Sequence, residues 1–320
     1  MPDPVVHRVL LTNSIHPAAQ ARLAQALDVL VAPDTSATTL KSLAADCDAM
    51  IVRCHLPPDI FEGTARMKYV VRHGVGLDMV PMTAATNKGI AVANLPGSNT
   101  QAVVEYALAA MFALRRNVAG MNEVLRRDGW EAAKPMSDDS VELGGSVLGV
   151  VGFGSIGKRL ATIAHALGMQ VVAHTRRSET VDSPALAVDL AELMRRSDVI
   201  VLACPHTEQT HHLINAQMLA HAKSTALLIN VARGPVVDTP ALVAALSQRR
   251  LAGAALDVHE NGPLTGQENI FKCANVLLTP HLAGNTATAL SQMSEWAVDT
   301  VLALLDGQRP ANVVNPEVFI

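Results

Sequence analysis

The chain has 320 residues, 49% of them hydrophobic and 17% charged, with a formal net charge of −4. That length suits two domains with sizeable cores, and the composition describes a compact folded protein rather than a disordered one. The scattered charge offers no basic stripe for nucleic acid, no apolar run reaches the ~18 residues of a membrane span, and the N-terminal MPDPVVHRVLLTNS lacks the basic start and apolar core of a signal peptide, so a cytoplasmic location is expected.

The first hundred residues alternate strand-like runs (HRVLLT, DVLVA, AMIVR, MKYVVRHG, GIAVAN) with helix-like ones (PAAQARLAQAL, TTLKSLAADC, MTAATNKG). Such alternation predicts a parallel α/β domain. After Leu95-Pro96-Gly97, the segment TQAVVEYALAAMFALRRNV predicts one long amphipathic helix bridging into a second unit. That unit reads as six strands, VLGVV, QVVAH, DVIVLAC, ALLINV, GAALDV and NVLLTP, with helices such as DLAELMRR and DTPALVAALSQRR between them. A final helix, TALSQMSEWAVDTVLALLDG, and the tail RPANVVNPEVFI are expected to return to the first domain. Two doubly wound parallel-sheet domains follow: a flavodoxin-like substrate domain, 1–97 with 286–320, and a Rossmann cofactor domain, 98–285, inserted into it. The two lobes are expected to leave a cleft, and the chain to end too soon after the last helix for a separate regulatory domain.

The second unit opens with Gly152-Phe153-Gly154-Ser155-Ile156-Gly157 between a strand and a helix, the context that gives a GxGxxG motif its meaning. Gly152 permits the tight turn, Gly154 lets the backbone approach a pyrophosphate, and Gly157 lets the helix pack closely on its strand, with Ser155 and Ile156 opening the helix N-terminus toward the anion. NAD-binding versions carry an acid about 20 residues on, where it bonds the ribose 2′-hydroxyl. Thr175 stands at that place here, followed by Arg176 and Arg177. Guanidinium groups suit a 2′-phosphate, so NADP(H) is expected over NAD(H), with NAD still possible; the alternative is a solvated loop face.

Ligands of open parallel sheets bind beyond the carboxyl ends of the strands, where this chain places Arg233, Asp257-Val258-His259-Glu260, His281 and Cys204-Pro205-His206-Thr207. Reduction of a ketone needs a cation to hold and polarise the substrate and a proton donor for the new alkoxide, tasks that suit Arg233 and His281. The histidines His165, His211, His212 and His259 show no metal-ligand spacing, and Cys47, Cys54, Cys204 and Cys273 show no CxxC pairing. No metal is expected, and the cysteines are read as free thiols, mostly buried.

The segments Arg72-His73-Gly74-Val75-Gly76-Leu77-Asp78, Asn94-Leu95-Pro96-Gly97, the glycine motif, Asn230-Val231-Ala232-Arg233-Gly234, Ala255-Leu256-Asp257-Val258 and Thr279-Pro280-His281-Leu282-Ala283-Gly284 together resemble the D-isomer-specific 2-hydroxyacid dehydrogenases over nearly the whole chain. The resemblance implies an oxidoreductase that reduces a small 2-oxo acid, of the glyoxylate or hydroxypyruvate type, to the D-2-hydroxy acid, working as a homodimer through the cofactor domain and an arm from Asn117 to Pro135. It implies that Arg233 binds the substrate carboxylate and keto oxygen, that His281 is the acid/base, and that the amides near Val75 and Gly76 cradle the carboxylate. It further implies that Asp257 contacts the nicotinamide carboxamide and that Thr207, Val231, Ala232 and Ala283 line the cofactor. Arg53, at the end of an N-terminal strand, is a candidate for the far end of the substrate, with a surface arginine as the alternative.

The family pattern after the fifth of these strands, Asp-Val-x-x-x-Glu-Pro, departs here to Asp257-Val258-His259-Glu260-Asn261-Gly262-Pro263. In the family the glutamate pairs with the catalytic histidine, favouring its charged form and orienting its ring. Glu260 is the candidate substitute, swinging in if the loop is extended, since residues i and i+2 then share a face; the alternative reading, an exposed loop carboxylate, carries more weight. Other outcomes are a different acid or a water in that role, or an acid-shifted enzyme. A dinucleotide-binding regulator with weakened catalysis stands as the opposing class, and a 3-phosphoglycerate dehydrogenase-like enzyme as a further variant.

Overall fold

The computed structural model describes residues 7–319. The first six residues, on which part of the signal-peptide reading rests, and Ile320 at the end of the tail lie outside the described residues. The chain divides into two compact units, Met1–Asn99 with Asn285–Ile320, and Thr100–Gly284.

The first unit begins β1 (Arg8–Leu11), α1 (Pro17–Ala26), β2 (Asp28–Val31), α2 (Ala37–Ala44), β3 (Ala49–Val52), β4 (Tyr69–Arg72), α3 (Met82–Asn87) and β5 (Ala91–Ala93). Its sheet is wholly parallel in the order β2-β1-β3-β4-β5, the flavodoxin-like arrangement. All four residues of β3 are buried, as expected of a parallel strand covered on both faces. Leu10, Leu40, Met50, Ile60, Phe61 and Ile90 pack one side of the sheet. The strand order reverses between β1 and β3, so the carboxyl ends of these two strands mark this unit's ligand-binding position.

The second unit runs α4 (Thr100–Arg116), α5 (Val118–Asp128), α6 (Trp130–Ala133), β6 (Val147–Val151), α7 (Ser155–Ala166), β7 (Gln170–His174), β8 (Ala185–Ala187), α8 (Leu190–Arg196), β9 (Val199–Leu202), α9 (Ala216–Leu219), β10 (Leu227–Asn230), α10 (Thr239–Ser247), β11 (Gly253–Leu256) and β12 (Val276–Leu278). Seven parallel strands, not six, form its sheet, in the order β12-β11-β10-β9-β6-β7-β8. The additional strand, β8, is three residues long at the sheet edge with Leu186 and Ala187 exposed, so it carries neither the buried run nor the alternation that marks a strand in sequence. The expected bridging helix is α4, which ends at Arg116 where Asn117 takes a left-handed φ of 44°; α5 lies in the arm beyond it. Among the described residues no helix is long and apolar enough to cross a membrane, and of the four free cysteines only Cys47 is fully buried.

The chain then returns to the first unit as α11 (Ala287–Leu305), which packs on β4, β3 and α1. The tail closes the β5 edge. Val92 N–H donates to Asn315 Oδ1 (2.7 Å), and the Asn315 amide donates in turn to Ile90 O (2.9 Å) and Thr86 Oγ1 (3.0 Å).

One buried contact between β4's end and α11 fixes which nitrogen of a histidine ring carries a proton. Ser294 Oγ donates to Leu290 O (2.7 Å) and accepts from His16 N–H (3.0 Å). Its single hydrogen is thereby used, so the 2.8 Å contact with His73 Nε2 requires the imidazole to donate from Nε2. Burial, aided by the neighbouring charges of Arg53 and Arg72, pushes the His73 imidazole down to about 4. An unfolded histidine takes up its proton near pH 6.5, whereas this one resists until about 4, so the unfolded state binds more protons between those values. Stability is therefore full above pH 6.5 and falls as pH drops. The expected penalty is on the order of 2 kcal/mol at pH 5. Urea unfolding at pH 7 and pH 5 should show His73→Gln losing less stability than the wild type by about that amount.

Candidate active site

The glycine motif is built by close backbone approaches. The second sheet reverses order between β6 and β9, and there Gly152, at φ +97°, lies so near the end of β9 that a Cβ would stand 2.6 Å from Cys204 N and 2.7 Å from Ala203 C. A Cβ on Gly157 would stand 2.3 Å from Gly152 O, which is why α7 can start tight against the turn. A Cβ on Gly154 would meet nothing within 4 Å, and no side chain caps α7. The open space faces the helix N-terminus at Ser155 and Ile156, a place made for a pyrophosphate. These observations fit a dinucleotide.

At the end of β7, Thr175 is half-buried and Arg176 and Arg177 are exposed. Among the described residues the two arginine side chains make no hydrogen bond or ion pair, and Arg177 O instead accepts from Thr180 N–H (2.9 Å) and Oγ1–H (2.7 Å). The turn is thus held by its backbone while its cations remain available. Beyond β9, Thr207 and Thr210 form a reciprocal cap, with Thr207 N–H donating to Thr210 Oγ1 (2.7 Å).

The three strands β10, β11 and β12 end level, with Asn230, Leu256 and Leu278 in register. Arg233 follows the first, Asp257 the second and His281 the third. Asn230, 1% exposed, shapes the arginine turn, donating from Nδ2 to Arg233 O (3.0 Å) and accepting from Ala232 N–H (3.0 Å). Val231 and Ala232 are buried within this turn, and the Arg233 guanidinium donates to Ala232 O (2.7 Å) among its contacts.

Asp257 is equally buried, and its carboxylate accepts from Leu282 N–H, Ala283 N–H (both 2.8 Å) and Thr279 Oγ1–H (2.7 Å). Its carbonyl accepts from His281 N–H (2.8 Å). Tyr106 OH extends the network to Thr279 Oγ1 (2.6 Å). Four links therefore wrap the loop that carries His281, whose φ of 55° is a left-handed conformation that the surrounding bonds maintain. The imidazole is exposed.

Glu260 does not swing toward His281. Residues 260 and 261 form a turn rather than an extended stretch, so the i, i+2 condition fails. Glu260 Oε1 accepts from His212 Nε2–H (2.5 Å) and Oε2 from Thr239 N–H (3.1 Å) at the start of α10. Burial acts to raise this carboxyl, and the bonds from His212 and Thr239 outweigh it, holding the group below the usual carboxylate range. At Gly262 a Cβ would make only ordinary contacts, 3.5 Å from His259 Cβ.

In the first unit, Arg53 lies at the end of β3, at that sheet's reversal point. Its N–H donates to Thr12 Oγ1 (2.9 Å) and its guanidinium to Ser14 O beyond β1. The loop after β4 has its carbonyls tied inward: Asn94 Nδ2–H donates to Val75 O (2.7 Å), and Arg72 donates to Gly76 O (3.2 Å) and His73 O. Among the described residues the amides of Val75 and Gly76 have no protein acceptor. Adjacent N–H groups left without acceptors are of the kind that can serve an anion.

The family model for "D-isomer specific 2-hydroxyacid dehydrogenase, NAD binding domain" matches residues 108–283. The chain belongs to the D-isomer-specific 2-hydroxyacid dehydrogenases. It is 35% identical to a glyoxylate reductase of Aeropyrum pernix over 97% of this chain and 96% of that protein. Among solved structures it resembles an NADPH-dependent glyoxylate/hydroxypyruvate reductase of Sinorhizobium meliloti in complex with NADP and malonate (29% identity, TM-score 0.86, 96% of each chain). It also resembles a D-lactate dehydrogenase of Aquifex aeolicus complexed with NAD and lactic acid (25% identity, TM-score 0.83, 97% of this chain and 99% of that one). The protein is accordingly an NAD(P)-dependent oxidoreductase of CH–OH donors and a 2-oxo acid reductase.

Within this dehydrogenase the positioning role of Asn230, the fourfold wiring of Asp257 and the partner of Glu260 escape sequence reasoning. The available signals were the Asn that precedes the arginine motif and the two adjacent histidines after β9. Replacing Asp257 with Asn exchanges an acceptor oxygen for an NH₂ that faces an amide donor. Asp257→Asn is expected to lower kcat about tenfold or more while the protein stays folded, the cost of one misdirected buried group being ~1–3 kcal/mol; steady-state rates and thermal melting check this.

Proposed function

We propose that this dehydrogenase is an NADP(H)-preferring reductase of small 2-oxo acids of the glyoxylate or hydroxypyruvate type, yielding the D-2-hydroxy acid. The observation that carries the coenzyme preference is the pair of uncommitted guanidinium groups, Arg176 and Arg177, where an acid would stand in an NAD enzyme. The chemistry is carried by Arg233 and His281 on strand ends that finish level, and the chain's likeness to glyoxylate and glyoxylate/hydroxypyruvate reductases supports the substrate class.

The bound coenzyme supplies a hydride to the keto carbon. Arg233 neutralises the charge that grows on the keto oxygen, and His281 delivers a proton to that oxygen as the alcohol forms. Asp257 and its amide partners hold the His281 loop so that its orientation is set before substrate arrives. The amides of Val75 and Gly76 bind the substrate carboxylate, and Arg53 binds polar groups at the far end of longer substrates. Val231, Ala232, Thr207 and Ala283 line the coenzyme, with Gly152, Gly154, Ser155, Ile156 and Gly157 at its pyrophosphate.

Oxidation of NADPH and NADH with glyoxylate and hydroxypyruvate tests this directly. In the variant Arg176→Ala/Arg177→Ala the KM for NADPH is expected to rise on the order of tenfold or more, with that for NADH within about twofold. A wild-type preference for NADH would sink the coenzyme assignment. Absence of turnover, with dinucleotide still bound, would favour the regulator, for which the glycine at 262 is the motivating observation.

We also propose a homodimer through the arm that follows α4. Helix α5 buries no residue in its own chain, and Val118 and Trp130 are 66% and 65% exposed. Such a run of exposed apolar side chains on one arm marks an interface. Sedimentation is expected to show a dimer that Trp130→Glu weakens; a monomeric wild type would overturn this.

A further inference from the structure

We propose that Glu260 and His212 form a clamp that positions Arg233, closing across the arginine turn from two neighbouring loops. Its function rests on the reductase assignment above; its existence does not.

The turn after Arg233 is held from both sides. On one side, a Cβ on Gly234 would stand 2.0 Å from His259 C and 2.3 Å from Glu260 N, so the turn lies directly against the backbone of the loop after β11. On the other side, His212 N–H donates to Pro235 O (2.8 Å) and Ile214 N–H to Val236 O (3.0 Å), joining the turn to the loop after β9. The Glu260–His212 contact at 2.5 Å spans these two flanking loops. A third loop joins through Thr239 N–H, which donates to the other Glu260 oxygen (3.1 Å). One carboxylate thus ties together the loops that follow β9, β10 and β11, with Arg233 at the start of the enclosed segment.

The clamp bears a cost that its bonds must offset. His212 has a φ of 48°, an unfavourable conformation for a residue with a side chain, and its ring is stacked on that of His211 with centroids 4.1 Å apart. The Glu260 side chain is only 16% exposed. A partly buried, charge-assisted hydrogen bond is stronger than its surface counterpart, and a strained backbone persists where such bonds over-determine it. Glu260 and His212 are positioning residues, acting through Gly234 and Pro235 on a guanidinium that must meet a carboxylate to within a fraction of an ångström.

Amide hydrogen exchange of the full-length protein, combined with glyoxylate kinetics, tests the clamp. Glu260→Ala and His212→Ala are each expected to speed exchange across 231–237 about tenfold, and the double variant no more than the faster single one, since partners in one interaction are not additive. His212→Gln, which retains an N–H donor, and the isosteric Glu260→Gln should restore part of the protection. The KM for glyoxylate should rise about tenfold in both alanine variants with kcat within about twofold, the signature of weakened substrate holding. Unchanged exchange across 231–237 overturns the clamp whatever the kinetics, and so do single effects that multiply in the double variant. Faster exchange with an unchanged KM overturns the assignment to Arg233. A wild type that reduces no 2-oxo acid defeats the reductase assignment instead, and exchange alone then decides the clamp.

Discussion

An ionised carboxylate at 1% exposure is tolerable only when its oxygens are bonded, and Asp257 meets that condition by recruiting the loop that follows β12. The requirement works in both directions. The acid needs the amides of Leu282 and Ala283, and those amides can be reached only if His281 adopts its left-handed φ of 55°. The geometry of the exposed loop that carries His281 is thereby set from beneath by a buried carboxylate. Tyr106 adds a second layer through Thr279, so the histidine loop is tied to helix α4 as well as to β11.

The first unit solves a similar problem with the opposite polarity. The loop after β4 keeps two amide donors without internal partners, an arrangement that a loop reaches most cheaply by turning its carbonyls inward. Arg72 and Asn94 donate to those carbonyls, and the Val75 and Gly76 amides are left without a protein acceptor. His73 between them is kept neutral by burial and by the neighbouring charges of Arg53 and Arg72, beside which a third positive charge would stand.

How much of this was legible in the sequence depended on the range of the interaction. Strands such as AMIV and LLIN are buried on both faces and read as apolar runs without any partner being known. The glycine motif was legible because Gly152 and Gly157 answer local backbone approaches, while Gly154 leaves the space beside the helix N-terminus open. Edge strand β8, with two of its three residues exposed, had no such signature. Arg233 and His281 stood out by residue type and by position at strand ends. Their supports did not, since Asp257 meets its amides 25 and 26 residues later and Glu260 meets His212 48 residues earlier. Partners at those separations are fixed by the sheet order, which periodicity alone does not contain.

The fate of Glu260 shows why an acid near a vacated position in sequence does not fill it in space. To turn away from α10 it would forfeit a charge-assisted bond from His212 and an amide bond at a helix N-terminus, together on the order of 3 kcal/mol. It would also leave the Thr239 N–H and the strained His212 backbone without the partner that holds them. No comparable gain is on offer at the exposed His281 ring, where water competes for the same contact. The carboxylate is therefore retained by the architecture of the arginine turn, and the glycine at 262, which has room for a larger side chain, is a departure that Glu260 does not repair.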